Sequence, residues 1–368
     1  MPRLRMLRRI ILTPFTVLYG LVLHIRHALY DLGILQSTRP SVPTIAIGNL
    51  ALGGTGKTPM LELVLRTLEG STPLATLSRG YGRKTTSIHE VLAEHTAEHS
   101  GDEPVQVKTK FPKVRVFVGA DRVKTIAWIQ QEMPEVKAVV LDDALQHRRL
   151  NAGLNILLTT AQRPYCDDAL IPAGTLRDVR TRAKAAQIVV VTKCEATPTP
   201  AEQQGWRTRL QLASEQQLFF AGIRYDTPRT QDPVGRPGES TLQDLRSNDF
   251  DMPTVSALLF TGIVDPAPLL NHLIPKFHHL EHIAFPDHHA FAPADLQRLA
   301  DVFGSFAAGP KTLITTEKDA ARLRSLIVGS PLGGLPLAVI GMRTVILNEP
   351  ERFADLIRTH VATHPAHR

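Results

Sequence analysis

Residues 48–59 read GNLALGGTGKTP, a glycine-rich run that ends in a Lys-Thr pair and a proline. Loops of the form G-x-x-x-x-G-K-[ST] hold nucleotide phosphates when they lie between a strand and a helix. Ala51 stands where that pattern has its first glycine, and Pro59 directly follows the Lys-Thr pair. Alanine fits if the backbone there does not need a positive φ, and proline fits the first turn of a helix. The stretch therefore predicts a P-loop with a changed first position.

The chemistry of such a loop assigns a task to each of its residues. Backbone N–H groups point at the phosphates, and glycine lets the chain approach them closely. The following helix presents its N-terminus to the same anion, the lysine reaches the β- and γ-phosphates, and the hydroxyl binds Mg²⁺. The residues predicted to bind the nucleotide are Gly53, Gly54, Thr55, Gly56, Lys57 and Thr58, with Thr58 also a metal ligand. A glycine-rich turn that binds no nucleotide is the alternative.

The loop lies in an alternating pattern of short apolar runs and helical segments. The β-like runs are residues 44–47, 74–77, 114–118, 138–141, 154–158 and 188–191, and helical spacing occurs at residues 60–68 and 122–131. Alternation of this kind predicts a parallel sheet with helices on both faces, that is, a P-loop kinase-like α/β fold. A second series follows at residues 255–260, 280–283, 293–303 and 311–315. It predicts a second, smaller α/β domain.

Two stretches rich in turn-forming residues, 195–200 and 224–253, read as loops or linkers. The expected organisation has four parts. They are an N-terminal membrane-associated helix at 1–30, a P-loop domain at 31–160, a second α/β domain at 161–350 that completes a cleft, and a tail at 351–368.

Residues 139–143 read VVLDD, an apolar strand that ends in two aspartates. Such a strand commonly supplies the metal-binding half of a P-loop site. Because neighbouring strand residues point to opposite faces, one of Asp142 and Asp143 can address Mg²⁺ while the other faces a neighbour. The residues leave open which of the two does so.

Two further segments could carry chemistry. Residues 101–104 read GDEP, and a carboxylate there could position and deprotonate an acceptor hydroxyl. Residues 285–291 read FPDHHAF and follow His278, His279 and His282. The spacing of these histidines matches no standard zinc pattern, so ordinary surface histidines are the favoured interpretation.

The bulk composition is that of a globular protein. Hydrophobic residues make up 43% and charged residues 21% of the 368 positions, which excludes a disordered chain. Cys166 and Cys194 are too few for a disulfide framework and favour a reducing compartment. A net charge of +7 favours an anionic partner, although a generally basic surface would give the same number.

The N-terminus is basic and then apolar. Four arginines at positions 3, 5, 8 and 9 precede an apolar run at 10–23, and no small-x-small cleavage site follows. Apolar residues recur at steps of three and four, which places them on one helix face: Leu4, Leu7, Ile11, Phe15, Leu18, Val22, Ile25 and Leu29. This pattern favours a helix lying on an anionic membrane surface. A buried helix, and a signal or spanning segment, are the alternatives.

Seven motifs together resemble one known family. They occur in the order GNLALGGTGKTP (48–59), LSRGYGRK (77–84), GDEP (101–104), LDDALQHRRL (141–150), PAGTLRD (172–178), FPDHHAF (285–291) and TTEKDAARL (315–323). The combination resembles the tetraacyldisaccharide 4′-kinases of Gram-negative lipid A biosynthesis, over nearly the whole chain. Where the family commonly reads PAGPLRE, this chain has Thr175 and Asp178.

The resemblance implies a specific reaction. Such enzymes transfer the γ-phosphate of ATP, with Mg²⁺, to the 4′-hydroxyl of tetraacyldisaccharide 1-phosphate, which gives lipid IVA. They are peripheral proteins on the cytoplasmic face of the inner membrane. Their partners are the acylated glucosamine disaccharide and an anionic membrane surface. Neither a nucleic acid nor an obligate protein partner is inferred.

Residue roles follow from the matched motifs. Asp102 matches the catalytic carboxylate, paired with His288, and His289 is the rival to His288. Lys57 holds phosphate. Glu103, Asp142 and Asp143 join Thr58 on the metal side. Arg177 is a further candidate as a phosphate-charge partner.

Other functions make different demands on the sequence. A kinase for another lipid or sugar acceptor would share the ATP machinery. A P-loop GTPase or metallochaperone-like switch needs a guanine-specifying Asn/Thr-Lys-x-Asp, and residues 192–195, TKCE, end in Glu instead. A regulator without chemistry would leave Asp102 and His288 without a role.

Overall fold

The structure is a computed structural model that describes residues 2–70, 72–231, 237–241, 254–287, 289–323 and 326–364. The chain forms two compact units. Unit 1 comprises Met1–Ile223 and Thr344–Arg368, and unit 2 comprises Arg224–Arg343. The chain thus leaves unit 1 and returns to it near its C-terminus.

Unit 1 is built on alternating strands and helices. Its helices are α1 (Pro2–Asp31), α2 (Lys57–Leu68), α3 (Ala97–Ser100), α4 (Asp102–Lys110), α5 (Arg122–Glu132) and α6 (Pro200–Arg209). Its first strands are β1 (Thr44–Asn49), β2 (Leu74–Ser78), β3 (His89–Glu90), β4 (Arg115–Val118), β5 (Ala138–Asp142), β6 (Leu154–Thr160), β7 (Ile188–Thr192) and β8 (Gln217–Tyr225). Two 3₁₀ turns, Tyr165–Asp167 and Arg180–Ala185, lie between β6 and β7.

Unit 2 repeats the architecture on a smaller scale. Its strands are β9 (Arg229–Gln231), β10 (Pro237–Thr241), β11 (Ser256–Thr261), β12 (His279–Ala284), β13 (Lys311–Thr316) and β14 (Leu337–Ile340). Its helices are α7 (Ala267–Leu273), α8 (Pro293–Ser305) and α9 (Glu317–Leu323), with a 3₁₀ turn at Ile274–Lys276. The chain then returns through β15 (Met342–Ile346) and ends in α10 (Pro350–Ala362).

Among the described residues, the unit 1 sheet has nine strands in the order β15-β8-β7-β6-β1-β5-β2-β4-β3. Pairing is parallel from β8 through to β4, and β3 joins antiparallel. The strand before the glycine loop, β1, lies between β6 and β5. Its register sets Ile47 opposite Asp142. The predicted P-loop α/β fold is confirmed. The loop follows β1 and the aspartates end β5, so both lie at the carboxyl ends of these two adjacent parallel strands.

Both faces of this sheet are buried, as the apolar runs predict for parallel strands. Ile45 and Ile47 of β1 pack in a cluster with Met60 and Val64 of α2. Ala46, between them, packs in a second cluster on the other face. Since strand side chains alternate, one six-residue strand contributes to two cores.

The C-terminal segment is part of unit 1 and not a separate tail. Phe353, Ile357 and Val361 recur at steps of four on α10 and are buried in the core that contains α2. The Phe353 ring packs edge-on against Phe219 of β8, with centroids 5.2 Å apart. The segment predicted to be a tail at 351–368 therefore contains a helix that belongs to the core. The apolar face of this helix packs against α2, which is distant in the sequence.

The observed units also differ from the expected ranges 31–160 and 161–350. The strands after residue 160, β7 and β8, continue the same parallel sheet as β1. The first connection between the units therefore lies at 223/224, within the span of β8. Part of the expected linker at 224–253 forms β9 and β10, which pair with each other.

The unit 2 sheet has the order β10-β9-β14-β13-β11-β12. Strands β14, β13, β11 and β12 are parallel, and β9 runs antiparallel to β14. Asp319 at the start of α9 is fully buried. Its carboxylate accepts hydrogen bonds from Thr316 Oγ1 at 2.8 Å and from the Gly262 N–H at 2.9 Å. The segment TTEKDAARL thus ties two loops of unit 2 together.

Within residues 11–31, whose side chains the structure describes, helix α1 packs against the rest of unit 1 along one face. Tyr19 donates to the Arg177 carbonyl at 2.8 Å, Thr16 Oγ1 accepts from the Ala173 N–H at 3.2 Å, and His27 Nε2 lies 2.6 Å from Asp178 Oδ1. The opposite face carries five of the eight predicted apolar positions: Ile11, Phe15, Leu18, Val22 and Ile25 are 52–62% exposed. Leu29 is half-buried, and the side chains of Leu4 and Leu7 lie outside the described part of the chain. The docked face therefore carries these polar contacts together with the buried side chain of Leu23.

The stretch Ile11–Asp31 is also long and apolar enough to cross a membrane, with 17% of its most apolar window buried. The apolar run that the sequence indicates, residues 10–23, is shorter because it ends before His24. Signal sequences pass the same test of length and composition.

Candidate active site

The glycine loop runs from the end of β1 to the first residue of α2, Lys57. Gly56 precedes the helix with φ of 88°, and Gly53 has φ of 107°. A Cβ atom at either position would meet no neighbour within 4 Å. Backbone conformation, and not lack of space, therefore calls for glycine at both points.

Ala51 occupies an extended backbone position. It forms an antiparallel bridge with Leu176, the Leu52 N–H donates to the Thr175 carbonyl at 2.8 Å, and the Arg177 N–H donates to the Leu50 carbonyl at 2.8 Å. The mouth of the loop thus pairs with residues 175–177 as a short two-stranded ladder. A residue in such a ladder does not need a positive φ, so alanine is accepted there.

Arg177 joins the loop to the aspartate pair. Its Nη1 donates to Asp143 Oδ2 at 2.8 Å, and its Nη2 donates both to Asp143 Oδ1 and, at 2.6 Å, to Asn49 Oδ1. Lys57 Nζ lies 3.5 Å from Asn49 Oδ1 and 4.0 Å from Asp143 Oδ1. The predicted residues Lys57, Asp143 and Arg177 therefore meet around Asn49, which the sequence analysis did not single out.

The two aspartates differ in electrostatic environment. Burial and the neighbouring Asp143 carboxylate raise the pKa of Asp142 to about 7, and the Glu103 carboxylate adds to the effect. Asp142 Oδ1 is shielded from solvent and has no hydrogen-bond partner. For Asp143, burial opposes ionisation. The hydrogen bond from Arg177 and the charge of Lys57 outweigh burial, so its pKa is lowered.

Asp102 and Glu103 open helix α4, directly after Gly101 with φ of 96°. The Gly101 position is crowded: a Cβ there would lie 3.1 Å from Gly80 Cα and from the Tyr81 carbonyl oxygen. The SRGYGR segment and the GDEP segment therefore approach backbone to backbone. This contact sets where α4 begins, and Glu103 is near enough to Asp142 to act on its pKa.

Arg122 is a buried residue that sequence reasoning missed. It is 4% exposed, and its Nη1 donates to the Gly119 and Ala120 carbonyls at 3.1 Å. Burial lowers its pKa, as does the charge of Arg79, while the carboxylates of Asp142 and Asp143 act in the opposite direction. In the sequence it is an ordinary arginine in the first turn of a helix. No local signal marks it as part of the site.

The two positions that depart from the PAGPLRE pattern have structural contacts. The Thr175 N–H donates to Asp168 Oδ1 at 3.2 Å, and its hydroxyl donates to the other oxygen of that carboxylate. Asp178 is 1% exposed and holds His27 of α1. The segment at 172–178 therefore connects α1, the glycine loop and the aspartate pair.

The histidine motif belongs to unit 2. His288 lies outside the described residues. His289 Nε2 lies 2.9 Å from Asp295 Oδ2, and its ring stacks on Phe285 with centroids 4.8 Å apart. His289 thus has a packing role at the start of α8. Of the other histidines, His278 and His279 are exposed, and His282 Nε2 lies 2.9 Å from Thr261 Oγ1.

A glycine loop between a parallel strand and a helix, with a lysine at the helix start and paired aspartates on the adjacent strand, defines a P-loop nucleotide-binding protein. Comparison with known proteins makes this class specific. The family model described as tetraacyldisaccharide-1-P 4′-kinase matches residues 8–362. The chain belongs to the tetraacyldisaccharide 4′-kinase family.

Relatives and a solved structure agree with this assignment. The tetraacyldisaccharide 4′-kinase of Flavobacterium johnsoniae is 40% identical over 94% of this chain and 95% of its own length. The enzyme of the same name from Parabacteroides distasonis is 38% identical over 96% and 95%. A crystal structure described as apo-form LpxK from Aquifex aeolicus in complex with ATP matches with a TM-score of 0.71 and 24% identity. It covers 96% of this chain and 99% of that one. This last match shows the shared fold.

Proposed function

We propose that the protein transfers the γ-phosphate of ATP to the 4′-hydroxyl of tetraacyldisaccharide 1-phosphate, which yields lipid IVA in lipid A biosynthesis. The observation that carries the proposal is the convergence of Lys57, Asp143 and Arg177 at the loop end of β1, in a chain of this family. Membership of the family supports the identity of the acceptor, and the residues of the site support phosphate transfer.

The loop residues bind the nucleotide. Backbone N–H groups from Gly53 to Thr58 surround the phosphates at the start of α2, where the helix dipole favours an anion. Lys57 neutralises charge on the β- and γ-phosphates. Arg177 donates hydrogen bonds to Asp143, whose carboxylate lies 4.0 Å from Lys57 Nζ. The lysine ammonium is therefore left available to the phosphates. Most of the rate enhancement would come from this positioning and charge neutralisation.

The residues on the metal side fit Mg²⁺. Asp142 Oδ1 is a buried carboxylate oxygen without a partner, and Asp142, Asp143 and Glu103 repel one another closely enough to raise a pKa. A hard divalent cation relieves such repulsion, and carboxylates and hydroxyls are the ligands it prefers. Asp142, Asp143, Glu103 and Thr58 would hold it. When bound, Mg²⁺ neutralises charge on the phosphates.

The acceptor hydroxyl needs a base. Asp102 is placed at the N-terminus of α4, next to Glu103, and is the residue proposed to accept the 4′-hydroxyl proton. The new bond joins the sugar oxygen to the γ-phosphorus, and the bond from that phosphorus to the β-phosphate oxygen breaks to release ADP. His288 is proposed as the partner of Asp102 on the strength of the motif resemblance.

We infer that helix α1 brings the enzyme to its lipid substrate. Its outward apolar residues, among them Phe15 and Leu18, would lie in the membrane interface, while the face with Tyr19 and His27 stays on unit 1. The acceptor keeps its acyl chains in the bilayer, so the enzyme must work at the surface. We place the protein peripherally on the cytoplasmic face of the inner membrane, where ATP is available.

The test is ³²P transfer from ATP to tetraacyldisaccharide 1-phosphate in mixed micelles, with wild type, Lys57→Ala and Asp102→Ala. We expect product with the wild type and a loss of at least about 10²-fold in kcat for either variant. Absence of product with folded, ATP-binding wild type would overturn the assigned acceptor.

A double-mutant cycle tests the dyad. Asp102→Ala and His288→Ala should each lose at least about 10²-fold in kcat, with a double variant that is less impaired than the product of the two. Full additivity would show that the residues act independently. His289→Ala is the matched control, and a larger loss there than at His288 would reassign the histidine.

A further inference from the structure

Three histidines outside the nucleotide site converge on one serine. His89 opens β3, His99 lies on α3, and His95 lies just before that helix. Ser100 Oγ is 3.0 Å from His89 Nε2, 3.1 Å from His99 Nδ1 and 3.2 Å from His95 Nδ1. Ser100 is fully buried, whereas His99 is exposed. The cluster therefore has a buried floor and an open side.

Two imidazoles of this cluster compete for the proton of one serine hydroxyl. His89 Nδ1 lies 3.3 Å from the Ser87 carbonyl, so the proton of that ring is on Nδ1 and its Nε2 is an acceptor. The Leu92 N–H donates to His95 Nδ1 at 3.2 Å, so this nitrogen is an acceptor as well. The Ser100 hydroxyl faces both nitrogens but has one proton to donate. Burial lowers the pKa of His89 and of His95, and the proximity of His99 lowers both further. Neutral imidazole is the form that binds a metal ion.

We propose that His89, His95 and His99 form a binding site for a divalent transition-metal cation of the zinc class. One ligand nitrogen from each ring lies within 4.8 Å of the others. Ligands of tetrahedral zinc, at bonds of about 2.1 Å, are about 3.4 Å apart, so the ring nitrogens would approach one another by up to about 1.4 Å on binding. Ser100 or water completes the coordination.

The donor set separates this site from the Mg²⁺ site. Imidazole nitrogens select zinc, copper, nickel or cobalt, whereas magnesium prefers carboxylate, carbonyl and water oxygens. Nearby charge acts in both directions. The Glu94 carboxylate favours positive charge at His95, and Arg83 opposes it at His89. Because these two charges have opposite effects, we expect them to change the metal affinity of the three imidazoles little.

The histidine cluster lies close in the chain to the proposed catalytic residue Asp102. Ser100 ends α3, and Gly101 alone separates it from Asp102 at the start of α4. A cation bound by these histidines would link β3 to α3 and restrain the segment from 89 to 101. Occupancy should therefore reduce amide exchange in this segment, independently of any nucleotide.

The experiment uses tag-free, full-length protein in detergent, since a polyhistidine tag would itself bind the probe. Co²⁺ is titrated in millimolar Mg²⁺, which occupies carboxylate sites, and binding is followed by visible absorption and then by Zn²⁺ competition. The cluster variant is His95→Gln with His99→Gln. The matched control is His278→Gln with His279→Gln, two exposed neighbouring histidines of unit 2.

We expect one Co²⁺ per wild-type chain, displaced by Zn²⁺, with unchanged affinity in the control. The cluster variant should bind at least about 10-fold more weakly. Hydrogen exchange of wild type should slow at residues 89–101 on adding Zn²⁺. Equal affinity in wild type and cluster variant, or no imidazole-bound Co²⁺ spectrum in wild type, would overturn the site. The wild-type spectrum decides the matter even if the variant folds poorly.

Discussion

Replacing Arg177 tests whether the site is held together as its geometry indicates. The guanidinium bridges the Asp143 carboxylate and the Asn49 side-chain oxygen, with donor–acceptor distances of 2.8 and 2.6 Å. Alanine would leave Asp143 beside Asp142, with the charges of Lys57, at 4.0 Å, and of Arg122 still acting on it. Two losses follow: charge-assisted hydrogen bonds disappear, and the carboxylate pair is less well neutralised.

The size of the effect can be worked from these contacts. Hydrogen bonds to charged groups contribute about 1.5–3 kcal/mol each, and removing one partner of a buried pair costs about 3–5 kcal/mol. The side chains of Arg177 and Asp143 are 23% and 31% exposed, so solvent screening reduces the figure. We expect Arg177→Ala to lower the free energy of unfolding by about 2–3 kcal/mol. At about 2–4 °C per kcal/mol, Tm falls by about 4–12 °C.

Lysine and a surface arginine provide the controls. Arg177→Lys keeps the charge but cannot bridge both partners, so its loss should be intermediate. Arg358→Ala removes an arginine that is 51% exposed and paired with Asp355, and should change Tm by less than about 2 °C. The assay is differential scanning calorimetry with and without ATP and Mg²⁺, alongside kcat/KM, which we expect to fall at least about 10-fold in Arg177→Ala. An Arg177→Ala protein that melts like wild type would refute the reasoning.

Three further outcomes are expected. The folded pKa of Asp142 is raised to about 7, so between about pH 4 and pH 7 the metal-free folded state holds a proton that the unfolded state has lost. Its stability should therefore fall as pH rises through that window, and Asp142→Asn should remove this slope in melting curves. Gly80→Ala should cut kcat at least about 10-fold, because its Cβ would lie 2.8 Å from the Ser100 carbonyl oxygen and displace α4. Gly82→Ala, with a similar φ but open space, should cost only about 1–2 kcal/mol of strain, and equal kinetics for the two would contradict this account. Phe353→Ala should lower the free energy of unfolding by about 3–5 kcal/mol in urea titrations, and a value below 1 kcal/mol would show that α10 is not part of the core.

Much of unit 1 could be predicted from local pattern. The runs at 44–47, 74–77 and 138–141 became β1, β2 and β5, since buried parallel strands need unbroken apolar residues. The sequence by itself also determined the glycine loop. Its two positive φ angles at Gly53 and Gly56 are local demands that only glycine meets without strain.

Only the tertiary structure decided which distant residues meet. Arg177 follows Asn49 by 128 positions, and no periodicity links them. Helix α10 has an apolar stripe whose partner, α2, lies nearly 300 residues earlier. Three histidines at 89, 95 and 99 acquire a common centre because β3 and α3 fold back on each other. Local rules act on neighbours in the chain, whereas these contacts depend on strand order and on which faces are buried. Strand order is a property of the whole sheet.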